Sequence, residues 1–108
     1  MRALWLVVVL AACMPTAPST PRPDPIPYRL DESGIQLTDR VQRIDFGRTD
    51  HSTLPAMTKL VGAPPFASQD CAGGGQRVDW PDGTSLVFKG GTFRGWINAA
   101  SAVGEGCS

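Results

Sequence analysis

The sequence is short of histidine and tyrosine, with one of each, and it has no excess of either charge: ten basic side chains balance ten acidic ones for a formal net charge of zero. A neutral chain has no overall field with which to attract nucleic acid or an anionic membrane surface, and neither partner is expected on that ground. No G-x-G-x-x-G run is present, so nothing points to a nicotinamide nucleotide. Gly73-Gly74-Gly75 lacks the Lys-Ser/Thr of a phosphate-binding loop and reads as a flexible turn. No serine occupies a G-x-S-x-G elbow, and neither C-x-x-C nor H-x-x-x-H spacing occurs, so no cofactor and no metal site are expected. At 108 residues the chain excludes a two-domain dehydrogenase, a P-loop enzyme with a substrate domain and a polytopic membrane protein.

The longest apolar run, residues 3–12, is ten residues long, behind the positive charge of Arg2. Spanning a bilayer takes about 20 apolar residues, so this run reads as a secretory signal, expected over residues 1–12. It ends in Leu10-Ala11-Ala12-Cys13, which resembles the lipobox of bacterial lipoproteins. That resemblance implies cleavage before Cys13, a diacylglycerol on its thiol and an acyl chain on the new amino group, an anchor that is effectively permanent at ~0.8 kcal/mol per buried CH₂. Position two after cleavage is Met14 rather than the aspartate that commonly retains such proteins in the inner membrane, so the resemblance implies the periplasmic face of the outer membrane.

Residues 13–27 hold six prolines and no apolar periodicity, the composition of a tether. In polyproline II geometry it would hold a domain up to roughly 40 Å from the bilayer. The remaining residues, 28–108, read as one α+β domain: a short helix packed on a small antiparallel sheet with a C-terminal three-stranded meander. Ile35-Gln36-Leu37 and Arg43-Ile44-Asp45-Phe46 alternate as half-buried strands. Ser52-Thr53-Leu54-Pro55 reads as a helix start, with a hydroxyl cap and a proline in the first turn. Leu54, Met57 and Val61 form its apolar stripe, and Gly62 with Pro64-Pro65 its stop.

The meander is expected at residues 76–80, 84–88 and 92–97, separated by Pro81-Asp82-Gly83 and Lys89-Gly90-Gly91. Strict alternation puts Val78, Trp80, Leu86, Phe88, Phe93 and Ile97 on the helix side and Trp96 on the other, beside Val87. Two readings of Trp96 follow: it is exposed and, with Arg94, forms a candidate binding surface, or it packs under the tail from Asn98.

With Cys13 assigned to lipid, Cys71 and Cys107 remain, an even pair in a secreted domain, and a disulfide is expected. The trio Asp50, His51 and Ser52 is the one local set that could be read as catalytic. Neighbours in sequence point apart, however, whereas a triad is built from residues that meet in space.

The segments Gly34-Ile35-Gln36-Leu37, Arg43-Ile44-Asp45-Phe46-Gly47-Arg48, Leu60-Val61-Gly62-Ala63-Pro64, Asp82-Gly83-Thr84-Ser85-Leu86-Val87-Phe88 and Phe93-Arg94-Gly95-Trp96 together resemble a group of small bacterial lipoproteins. Such chains are sometimes called aspartate-semialdehyde dehydrogenase. This sequence has neither that enzyme's length nor its nucleotide fingerprint nor a cysteine nucleophile in context. A helix ending in Leu-x-Gly-x-Pro before a meander is also distantly similar to the BamE/SmpA-like outer-membrane lipoproteins and their relatives of the β-lactamase-inhibitor-like fold. These resemblances imply a non-enzymatic envelope lipoprotein that binds another envelope protein or serves its assembly. The alternative is a periplasmic inhibitor or small-ligand binder working through Arg94 and Trp96.

Overall fold

A computed structural model describes residues 24–107; the signal segment, Cys13 and most of the tether lie outside the described residues. Along the chain run β1 (Tyr28–Asp31), β2 (Gly34–Leu37), β3 (Arg43–Asp45), α1 (Asp50–Val61), β4 (Ala67–Asp70), β5 (Gln76–Asp79), β6 (Ser85–Lys89), β7 (Thr92–Ile97) and β8 (Ala102–Gly104). The strands form two antiparallel sheets in sequence order, β1-β2-β3 and β4-β5-β6-β7-β8, with one helix between them in the chain. No helix among the described residues is long and apolar enough to cross a membrane.

The helix starts two residues before the expected Ser52. Thr49 is its cap, accepting from the Ser52 amide at 3.3 Å, and the Asp50 amide donates to the Gly91 carbonyl at 2.9 Å, which pins the first turn to the β6–β7 hairpin. Pro55 is therefore the sixth helical residue rather than a first-turn one, and the carbonyl that its missing N–H would have bonded is that of His51. The stop is at Gly62, whose φ of 79° suits a residue without a Cβ and whose amide returns to the Thr58 carbonyl at 2.9 Å. The buried stripe is Thr53, Met57 and Leu60, and the expected Leu54 and Val61 are half-buried at its margins.

One irregularity decides what the large sheet buries. In the β6–β7 ladder Leu86 faces Trp96 and Val87 faces Gly95, but Phe88 faces Phe93, so Arg94 has no partner. An extra residue in one strand reverses the parity of everything beyond it. Phe93 and Trp96, three positions apart, therefore lie on the same face, and Ile97 goes to the other, opposite Ser85 and Ala102. This corrects the expectation from strict alternation. Trp96 is 4% exposed and belongs to the core with Phe88, Phe93, Leu86, Val78 and Trp80.

Ile35 and Ile44 of the small sheet and Met57 and Leu60 of α1 complete that core. The two sheets meet along β7. Its C-terminal half pairs with β8, while its N-terminal half bonds the chain just after β3, through Gly47 N–H to Phe93 O and Phe93 N–H to Arg48 O, both at 2.7 Å. Phe46 and Phe93 meet edge to face at that seam with ring centroids 4.9 Å apart. Polar groups inside are mostly paired, the Trp80 indole with Thr58 Oγ1 at 3.3 Å among them, whereas the Thr53 hydroxyl is buried without a partner among the described residues.

Cys71 follows β4 and Cys107 follows β8, the two edges of the five-stranded sheet, and their disulfide joins those edges with the Cα atoms 4.8 Å apart. The tail reaches it by crossing Gly95, where an added Cβ would stand 2.4 Å from the Glu105 carbonyl oxygen. Closing a loop between positions 36 apart in sequence stabilises the fold by roughly 4 kcal/mol in the chain-entropy account.

Candidate functional site

The residues singled out in the sequence are dispersed. Arg94 is on the surface, its guanidinium donating to Thr92 Oγ1 at 2.8 Å and lying 3.9 Å from Glu105, while Trp96 is inside and donates its indole N–H to the Asp31 carbonyl at 2.7 Å. The bulge at Arg94 turns the two side chains to opposite sides of the sheet, so a binding surface containing both does not form. His51 is exposed on the first turn of α1; among the described residues its imidazole makes no hydrogen bond, and the Asp50 carboxylate accepts from the His51 backbone amide at 2.7 Å instead. The Ser52 hydroxyl bonds the cap residue Thr49. Cys13, the lipidation residue, lies outside the described residues. Among the described residues no three of His, Cys, Asp and Glu gather as a metal site would require.

Three features were not found from sequence. The first is the outer edge of β4, which pairs with no strand among the described residues. Phe66, just before it, is 70% exposed, and Ser68, Gln69 and Asp70 along it are exposed as well. Pro64-Pro65 reads only as the helix stop, and Ala67-Ser68-Gln69-Asp70 has no apolar alternation to announce a strand.

The second is a broad groove of about 770 Å³ between residues 25–30, the end of α1, the β5–β6 turn and residues 98–101. Among its polar lining residues Tyr28 is tied in place, its hydroxyl donating to the Asp82 carboxylate and lying 2.9 Å from Thr84 Oγ1. Burial and the acceptor Asp82 push ionisation of the phenol well above its usual range, so Tyr28 is a neutral donor that ties β1 to the β5–β6 turn. The same region takes up the end of the tether, with the Ile26 amide donating to Leu60 O and the Thr38 amide to Pro27 O, both at 2.9 Å.

The third is a smaller pocket of about 310 Å³ between α1 and the β2–β3 hairpin. Its floor is apolar, with Ile44 and Leu60 at 5% and 3% exposure, and Arg40, Arg48 and Lys59 stand around it. Arg43 also lines it but is committed elsewhere, holding Asp31 through two bonds of 2.8 Å, Asp45 at 2.9 Å and Gln36 at 2.8 Å. Those bonds hold the Asp31 carboxyl down at about 2. No protein-family model, no curated protein and no solved structure matches the chain.

Proposed function

We propose that the chain is a non-enzymatic, lipid-anchored module of the bacterial envelope that binds an extended segment of another envelope protein along the outer edge of β4, held at the periplasmic face of the outer membrane by Cys13. The observation that carries this reading is the open edge itself, with Phe66 beside it. An unpaired edge presents a row of amides and carbonyls ready to take another strand, and natural edges are usually guarded by shortness, charge, proline or a bulge. β4 is short, but it has no proline, lysine or bulge and its one charge, Asp70, stands at its far end, so Ala67, Ser68 and Gln69 beside Phe66 stay open. A partner strand added there would gain main-chain hydrogen bonds, and the Phe66 ring would supply an apolar anchor. The resemblance to lipid-tethered assembly modules supports the same role.

Two experiments test this reading. Metabolic labelling with palmitate should mark the full chain and not its Cys13→Ser variant; an unlabelled wild type contradicts the anchor. Mild crosslinking of intact envelopes followed by purification of the full chain should yield one discrete heteromeric adduct that Phe66→Asp abolishes. Recovery of the bare monomer from both forms contradicts the protein-binding role.

A further inference from the structure

The zero net charge of the whole chain conceals a local imbalance. Arg40 from the β2–β3 turn, Arg48 from the link between β3 and α1, and Lys59 from the last turn of α1 come from three separate segments and converge on one pocket. None of the three forms an ion pair among the described residues, and no carboxylate lines the pocket. Of the other described cations, Arg43, which also lines the pocket, is matched by Asp31 and Asp45, Arg77 by Asp79 and Arg94 by Glu105, whereas Arg29 and Lys89 form no ion pair either; what sets Arg40, Arg48 and Lys59 apart is that all three surround one pocket. Three uncompensated cations around a concavity attract an anion, and arginine's planar fork favours phosphate over a point charge.

The floor adds a second requirement. Ile44 and Leu60 are buried beneath it, and Ile26, Leu37 and Ala56 pack around them, so the space below the cations is hydrocarbon-lined. A bare anion would leave that lining against water. A phosphate with a short alkyl chain satisfies both halves, the charge among Arg40, Arg48 and Lys59 and the first methylenes against Ile44 and Leu60. The pocket's 310 Å³ is at the lower end of small-ligand sites and suits a phosphate with a few carbons rather than a whole lipid. Ile26 also belongs to the segment through which the chain leaves the domain toward Cys13, which puts the pocket beside the tether.

We propose that this pocket binds the phosphate group and adjoining methylenes of a phosphate monoester or of a phospholipid headgroup. The site is separate from the β4 edge and does not depend on it.

The test is calorimetric titration of the full chain in nonionic detergent with n-butyl phosphate, inorganic phosphate and n-butanol. Butyl phosphate should bind one to one and at least about tenfold more tightly than inorganic phosphate, because each buried methylene adds to affinity, and butanol should give no saturable heat. The double variant Arg48→Gln/Lys59→Gln should weaken butyl phosphate at least about tenfold while Arg94→Gln leaves it unchanged, and thermal unfolding should show all three proteins equally folded because Arg48, Lys59 and Arg94 are exposed. Phosphatidylglycerol added to the same detergent as mixed micelles then separates the sources: displacement of butyl phosphate identifies a lipid headgroup, and persistence of its binding identifies a soluble phosphate ester. Equal affinity for butyl and inorganic phosphate, or binding unaffected by the double variant, overturns the proposal.

Discussion

The indole N–H of Trp96 donates to the backbone carbonyl of Asp31 across 65 positions of sequence, at 2.7 Å, and so fastens the small sheet to the large one at the β1–β2 turn. The bond exists because the unpaired Arg94 reverses the parity of β7 and turns Trp96 inward. The ring then lies in the core, and the turn that it holds also carries the Asp31–Arg43 ion pair.

Trp96→Phe should therefore lower stability by about 1–3 kcal/mol in urea unfolding, through lost packing and an acceptor left without its donor. Arg94→Gln, at an exposed position, should stay within ~0.5 kcal/mol of wild type. A neutral Trp96→Phe would return that side chain to the surface that strict alternation assigns it.

The crossing of the tail over β7 gives a second expectation. At Gly95 an added Cβ meets Glu105 O at 2.4 Å and Glu105 N at 2.9 Å, whereas at Gly106 nothing stands within 4 Å. Gly95→Ala should cost about 1–3 kcal/mol and speed amide exchange in β8, while Gly106→Ala should leave both unchanged. Equal behaviour of the two variants would mean that the tail does not lie against β7.

The acid response follows from Asp31. Arg43 holds its carboxyl at about 2, below the ordinary value near ~4, so between those values the unfolded chain binds more protons than the folded one. The stability from this pair is complete above pH ~4 and is lost as pH falls through about 2. Asp31→Asn should flatten this part of the pH–stability curve and make the variant less stable than wild type at pH 6. A wild-type curve with no slope between pH 4 and 2 would contradict the role of the pair.

How far the sequence was legible depended on local signals. Gly62 with Pro64 ended the helix, and Pro81-Asp82-Gly83 and Lys89-Gly90-Gly91 punctuated β5, β6 and β7, because turn chemistry acts over a few residues. Tyr28–Asp31, Ala67–Asp70 and Ala102–Gly104 escaped notice as strands, being three or four residues long and strands through their ladder partners rather than their own pattern. The face of Trp96 was illegible for another reason: one unpaired residue overturns a period-two argument without changing composition. Arg40, Arg48 and Lys59 come together only when the β2–β3 turn is folded back against α1, with the Gln36 side-chain amide bonding Arg40 O at 2.8 Å within that turn.

A lipid-anchored module that takes a partner strand on β4 can be caught in the act by photo-crosslinking in living cells. A photoreactive residue is placed in turn at Phe66, Ser68 and Gln69 and, as a control, at the exposed Glu32 of the β1–β2 turn. One and the same envelope protein should be attached from positions 66, 68 and 69 and be absent from position 32. No adduct along β4, or the same adduct from position 32, would contradict that role.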